Sequence, residues 1–131
     1  LDAIRSNLLF ARSVVLVEGD AEEILIPILL KKVLGLSLDE IGISLVNIRS
    51  TGFENVALLF DNQRIKKRCS IITDLDDAFF DTTIFPTDTV PVKKKKDKAL
   101  GSQEAGLVRK GKLDDFCVNN PWISIFYAAH T

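Results

Sequence analysis

The chain has 131 residues, 47% of them hydrophobic and 27% charged, with a formal net charge of −1. That length is enough for one domain with a core that needs no staples, and the composition is that of an ordinary globular protein. Near-neutral charge excludes a protein that coats nucleic acid along its whole surface, and no apolar run approaches the ~20 residues of a membrane span.

Ala3 to Phe10 reads as a short helix capped by Asp2, passing at Arg12 into a first strand, Ser13 to Val17. Residues 1–12 therefore serve as a lead-in to a domain spanning 13–131. Val14-Val15-Leu16-Val17 is an unalternated apolar run that ends in Glu18-Gly19-Asp20-Ala21-Glu22-Glu23. Asp20 suits the N-cap of the following helix, with Glu23 completing a capping box. Ile24, Leu25, Ile28, Leu29, Lys32 and Val33 recur at helical spacing, Pro27 predicts a kink, and Gly35 predicts the end. Ile43 to Ile48 is a second strand. Ser50-Thr51-Gly52 then turns into a helix from Phe53 to about Arg64.

Cys69 to Thr73 is the third strand. It runs into a second acidic cluster, Asp74-Leu75-Asp76-Asp77. Beyond it Phe79, Phe80, several threonines, Pro86 and Pro91 surround a lysine run, so residues 81–102 read as an irregular insertion. A helix from Gln103 to about Lys110 and a strand at Phe116-Cys117-Val118 close the domain. Apolar strands alternating with helices predict an α/β fold with a mostly parallel sheet of about four strands, covered on both faces. The two cysteines, Cys69 and Cys117, sit in apolar contexts, which suggests reduced thiols and a cytoplasmic compartment. The chain contains no methionine and stops inside the apolar stretch Ile123 to Ala129, as expected of a piece of a longer polypeptide.

Carboxylates at the ends of buried strands meet beyond the carboxyl edge of a parallel sheet, where ligands bind. Glu18 and Asp74 take that position on separate strands. Glu22 lies one helical turn past Glu18, and Asp76 points with Asp74 if the segment is extended. So much charge is unfavourable unless a hard cation such as Mg²⁺ is shared. A plainer reading stands beside this one: a helix N-terminus attracts Asp20, Glu22 and Glu23, and Asp76 and Asp77 suit a turn. Glu18 resists it, because it directly follows a buried strand and precedes a glycine that frees the backbone.

Glu18-Gly19-x-x-Glu22 after one strand and Asp74-x-Asp76 after another resemble the Toprim domain of topoisomerases, primases and certain nucleases. The stretch Leu8 to Glu23 ending in Leu25-Ile26-Pro27 is similar to the overcoming-lysogenisation-defect (OLD) family of ATP-dependent endonucleases. Gly42 to Asn47, Ser50 to Phe53 and Ser102-Gln103-Glu104-Ala105-Gly106-Leu107 fit that family as well. The resemblance implies a two-metal nuclease using Mg²⁺ or Mn²⁺, with Glu18, Glu22, Asp74 and Asp76 as ligands. Glu104, with Ser102 near it, would add a ligand or orient water. It also implies DNA as substrate, an N-terminal ATPase domain, a homo-oligomer and a role in phage defence. This stretch has no Gly-x-x-x-x-Gly-Lys-Ser/Thr loop, so ATP belongs elsewhere. The family's lysine after the last strand has no counterpart in Pro121 to Tyr127, and the transition-state cation is left unassigned.

Lys93 to Lys98 either grip phosphates or form a solvated loop. Arg64, Lys66, Lys67 and Arg68 suit a helix end. Arg109 and Lys110, close in sequence to Glu104, are better candidates for contacting DNA. Trp122 and Tyr127 are expected to pack against a continuation of the polypeptide rather than stack on bases, and His130 is expected to have no role. Ile71 to Ala78 also resembles the haloacid-dehalogenase phosphatase motif, but Ala78 departs from it, too little chain follows for its later motifs, and Glu18 is left without work. A receiver domain would need a lysine after Val118, and an inert interaction module would use metal for structure only.

Overall fold

A computed structural model describes residues 8–49 and 52–129. The elements are β1 (Ser13–Val17), α1 (Asp20–Leu29), α2 (Leu38–Ile41), β2 (Ile43–Asn47), α3 (Phe53–Ala57), β3 (Arg68–Asp74), α4 (Val90–Cys117) and β4 (Ile123–Ala128). The strands form one four-stranded sheet in the order β2-β1-β3-β4, with every neighbouring pair parallel. This is the expected α/β architecture. The most apolar strand, β1, lies between β2 and β3, where burial is greatest.

The core sits mainly on one face. Val14 and Leu16 of β1, Val46 of β2, Cys69 and Ile71 of β3 and Ile123 of β4 pack with Phe53, Ala57, Phe60 and Leu113. Both cysteines are free, and burial pushes the Cys69 thiol up to about 12, with Cys117 adding to the effect, so Cys69 is chemically quiet. On the other face α1 lies beside β2 and buries none of its residues fully. Its expected apolar face is present but open: Ile24, Leu25, Ile28 and Leu29 are all exposed.

Several expectations need correction. The helix over 103–110 is the middle of α4, which begins at Val90, so the segment 81–102 is irregular only in its first part. Thr89 sets the boundary with extended backbone, and Pro91 falls in the first turn, where its missing N–H costs nothing. Lysine is a good helix former, but α4 shows no single apolar face, so periodicity gave no sign of it. Its lysines hold down the loop before it. Lys96 Nζ donates to the Thr83 carbonyl (2.8 Å) and pairs with Asp88 (2.9 Å), while Lys95 lies over the Phe80 ring. The solvated-loop reading of this run is therefore replaced by a helix that anchors its own lead-in.

Phe116 to Val118 is the end of α4 and the residue after it, not a strand; the last strand is β4. The helix from Phe53 stops at Ala57, and Asp61 Oδ1 accepts from the N–H groups of Gln63 and Arg64 (2.9 and 2.6 Å), so turns take over. Pro27 lies inside α1, and the regular helix gives way at Leu30–Leu34 to a π-helical turn that ends at Gly35 with φ +67°. Of the lead-in helix expected over 3–10, residues 3–7 lie outside the described part, as do Ser50, Thr51 and His130.

Asn120 fixes where β4 begins. Its Nδ2 donates to the carbonyl of the fully buried Phe60 (2.8 Å) and its Oδ1 accepts the Trp122 N–H (3.0 Å). Asn120→Ala removes both bonds and leaves a buried carbonyl unpaired, so we expect a loss of about 1–2 kcal/mol in denaturant unfolding. A variant unfolding at the parent's midpoint would contradict this role.

Candidate metal centre

β1 and β3 are adjacent and parallel, with Leu16 opposite Ile71, so two residues on Glu18 comes level with Thr73. Both strands thus deliver their following acids to one edge of the sheet. Thr73 is buried at 4% exposure, and its hydroxyl donates to Glu18 Oε2 at 3.5 Å. A buried hydroxyl needs a partner, and here the partner is the first carboxylate of the cluster. Sequence reading did not single out Thr73; its place directly before Asp74 was the available signal.

The acids of the first turn of α1 divide into two groups. Gly19, not Asp20, is the N-cap, and no side chain caps this helix. Asp20 and Glu23 instead accept from Asn47 Nδ2 at the end of β2, at 2.8 and 3.0 Å. The expected capping box is therefore absent, and both of its acids are engaged by Asn47. Glu22 is left to fold back toward Glu18. A Cβ on Gly19 would lie 2.5 Å from Glu22 Oε2. Gly19 itself has ordinary extended backbone, φ −119°, so its contribution is room for Glu22 rather than conformational freedom.

Asp74 closes β3. The segment after it is not extended: Asp76 has φ +55°, in the left-handed region, which Asp tolerates better than most residues. Backbone bonds from Leu75 N–H to Ala128 and from Asp77 N–H to Ala129 hold the turn against the end of β4 (2.8 and 2.9 Å). Asp74 and Asp76 still meet, as anticipated, but through this turn and around a shared cation.

That cation is Arg109 of α4. Its Nη2 donates to the Asp74 carbonyl (2.8 Å), Asp74 Oδ1 (3.1 Å) and Asp76 Oδ2 (3.2 Å), and its Nη1 lies 3.8 Å from Glu18 Oε2. The sequence placed Arg109 near DNA; the structure places it among the carboxylates. What brings it there is Gly106, one turn earlier on the same face, which lets α4 lie directly on the backbone of Leu75.

Glu18, Gly19, Glu22, Thr73, Asp74, Asp76 and Arg109 line one cleft of about 250 Å³. Negative charge is in excess there. The Asp74 carboxyl is pushed up first by burial and then by Asp76, with Glu22 and Glu18 adding to this, against the opposing pull of Arg109. Four carboxylates, hard oxygen ligands with surplus charge, fit a divalent cation such as Mg²⁺. As they stand, no three acidic, His or Cys side chains among the described residues are gathered tightly enough to hold one. The guanidinium bridges them instead.

Glu104 is not in this cleft. It lines an adjoining one of about 550 Å³, together with Arg49, Gly101 and Lys112, and Glu18 and Arg109 line both. Ser102, half-buried, lies on α4 within a turn of Glu104. Lys110 turns away from the acids, pairing with Asp114 at 2.5 Å and lying over the Tyr127 ring. A larger cleft on the far side of β2, lined by Phe10, Lys31, Asp39 and Leu45, contains only Glu23 of the two acidic clusters. Chemistry rather than size points to the edge of β1 and β3.

Residues 9–76 match the family described as overcoming lysogenization defect protein-like, TOPRIM domain. Among solved structures, the C-terminal region of the Burkholderia pseudomallei OLD protein is similar at 26% identity and a TM-score of 0.55, over 93% of this chain and 55% of that one. The C-terminal region of the Xanthomonas campestris pv. campestris OLD protein is similar at 21% identity and a TM-score of 0.53, over 95% of this chain and 53% of that one. The chain thus spans about half the length of these solved chains. No curated protein matches it.

Proposed function

This chain belongs to the OLD-like TOPRIM family, and from that premise we propose that it is the metal-dependent nuclease domain of a larger protein, hydrolysing phosphodiester bonds of DNA. The observation that carries the reading is the meeting of Glu18, Glu22, Asp74 and Asp76, from three separate elements, around one cleft. Such convergence is costly to a fold and has a use where cations are gripped.

Glu18, Glu22, Asp74 and Asp76 would hold Mg²⁺ or Mn²⁺, two ions in the full arrangement. Bound divalent ions supply an activated water and charge to stabilise the leaving oxygen. The protein's own part is positioning. Strand ends fix Glu18 and Asp74, the Thr73 hydroxyl orients Glu18, and the turn at Asp76 is held by β4. Glu104 faces the neighbouring cleft, from which it would orient water or complete the ligand set as the substrate seats. Ser102, within a turn of Glu104, would contact the DNA backbone, and Lys110 would do so only by giving up its pairing with Asp114.

The wider assembly belongs to the same proposal: an N-terminal ATPase domain in the same polypeptide, a homo-oligomer, a cytoplasmic setting and a role in phage defence. Among the described residues no helix is long and apolar enough to cross a membrane. The test is plasmid relaxation by the full-length protein. We expect nicked product with Mg²⁺ or Mn²⁺, and none once EDTA removes the metal. Equal cleavage in EDTA would overturn the reading.

A further inference from the structure

We propose that the Arg109 guanidinium is a built-in occupant of the metal position, bridging Glu18, Asp74 and Asp76 until a divalent ion enters and forces it out. The inference rests on the metal-dependent reading above and goes beyond it, because it makes a residue of this chain the ion's competitor.

The same three carboxylates would serve both partners. Nη2 takes Asp74 Oδ1 and Asp76 Oδ2 at 3.1 and 3.2 Å, and Nη1 approaches Glu18 Oε2 at 3.8 Å. A Mg²⁺ ion demands such oxygens at about 2.0–2.1 Å in octahedral geometry, which leaves no room for a guanidinium between them. Two cations held this close also repel each other. Either the ion or the arginine can occupy the cluster.

The arginine's seat is also incomplete. Its Nε is buried with no hydrogen-bond partner, and leaving such a donor unpaired is costly. Departure therefore gives up contacts to the acids but frees a stranded donor. A destination exists. Arg109 lines both the carboxylate cleft and the larger one beside it, where Glu104 stands as an alternative acid. The movement needs only rotation along the side chain, since Gly106 and Leu113 keep α4 in place.

Titration calorimetry and thermal unfolding of the parent and Arg109→Gln proteins test this. We expect the variant to melt lower without metal, to bind Mn²⁺ about 10-fold more tightly than the parent, and to regain the parent's melting temperature at saturating Mn²⁺. Should Arg109→Gln fold poorly, the parent serves, with Arg109→Lys as the assignment control. The arginine side-chain NMR signals of the parent, with Arg109 so identified, should shift and gain mobility as Mg²⁺ is added. An unchanged Arg109 signal at saturating Mg²⁺, or a variant that binds Mn²⁺ no more tightly, overturns the proposal. No Mn²⁺ binding by either protein would instead overturn the metal-dependent reading itself, and this proposal with it.

Discussion

Replacing Asp74 by Asn is expected to lower metal-dependent nicking about 10³-fold while raising the melting temperature of the metal-free protein at neutral pH. The first effect follows from removing a charged oxygen from ions that supply several kcal/mol of transition-state stabilisation, at a factor of ten per ~1.36 kcal/mol. The second follows from the charge balance. Burial and then Asp76 push the Asp74 carboxyl up, Glu22 and Glu18 add to this, and the opposing Arg109 does not offset them. A carboxyl whose folded-state pKa exceeds its unfolded value contributes stability below the unfolded value and loses it as pH rises through the folded one. That loss grows in the parent as pH rises through the folded-state pKa and is absent at every pH in Asp74→Asn. The amide oxygen still accepts from Arg109, and the Asp74 carbonyl contact does not depend on the side chain. The gap in melting temperature should close as pH falls through the folded-state pKa. A variant that nicks like the parent, or melts below it at neutral pH, would remove Asp74 from this role.

The parts of this fold that were legible in sequence are those where burial writes a pattern. β1 is an unalternated apolar run and β3 is centred on Ile71-Ile72 because the sheet is parallel and neither strand lies at its edge, and the acids at their ends stand out against them. Glu18, Glu22, Asp74 and Asp76 therefore read as one group from the sequence alone. α4 was not legible in this way. Its first half is lysine-rich, and its buried positions are Gly106 and Leu113, too sparse to produce a period. Missing α4 meant missing what it carries. Arg109 is a basic residue near an expected helix end by sequence, and only the crossing of α4 over Leu75 turns it into the counterion of three acids. β4 was hidden for a related reason: as an edge strand it alternates, with Ile123 buried and Phe126 exposed, inside a stretch read simply as apolar.

The same logic separates three glycines of one helix. Gly101 and Gly111 have nothing within 4 Å of where a Cβ would stand, so Ala at either position should stabilise by about 0.5–1 kcal/mol through helix propensity alone. Gly106 is buried, and a Cβ there would run into the Leu75 carbonyl, lying 2.8 Å from its carbon and 3.2 Å from the Leu75 Cα. The obstruction is backbone, which cannot escape by changing rotamer. Either α4 or the turn after β3 must move, at a cost of about 1–3 kcal/mol that outweighs the propensity gain. Gly106, Arg109 and Leu113 share one face of α4, so the displacement also draws Arg109 off Asp74 and Asp76 and loosens the packing of Leu113, which is 1% exposed. Gly106→Ala should thus lose stability and disturb the carboxylate cleft, while the identical change at 101 or 111 gains stability and leaves the cleft alone. Denaturant midpoints for the three variants, alongside their nicking rates, measure this directly. If Gly106→Ala proves as stable as Gly101→Ala, then α4 does not rest on Leu75, and the placement of Arg109 among the acids falls with it.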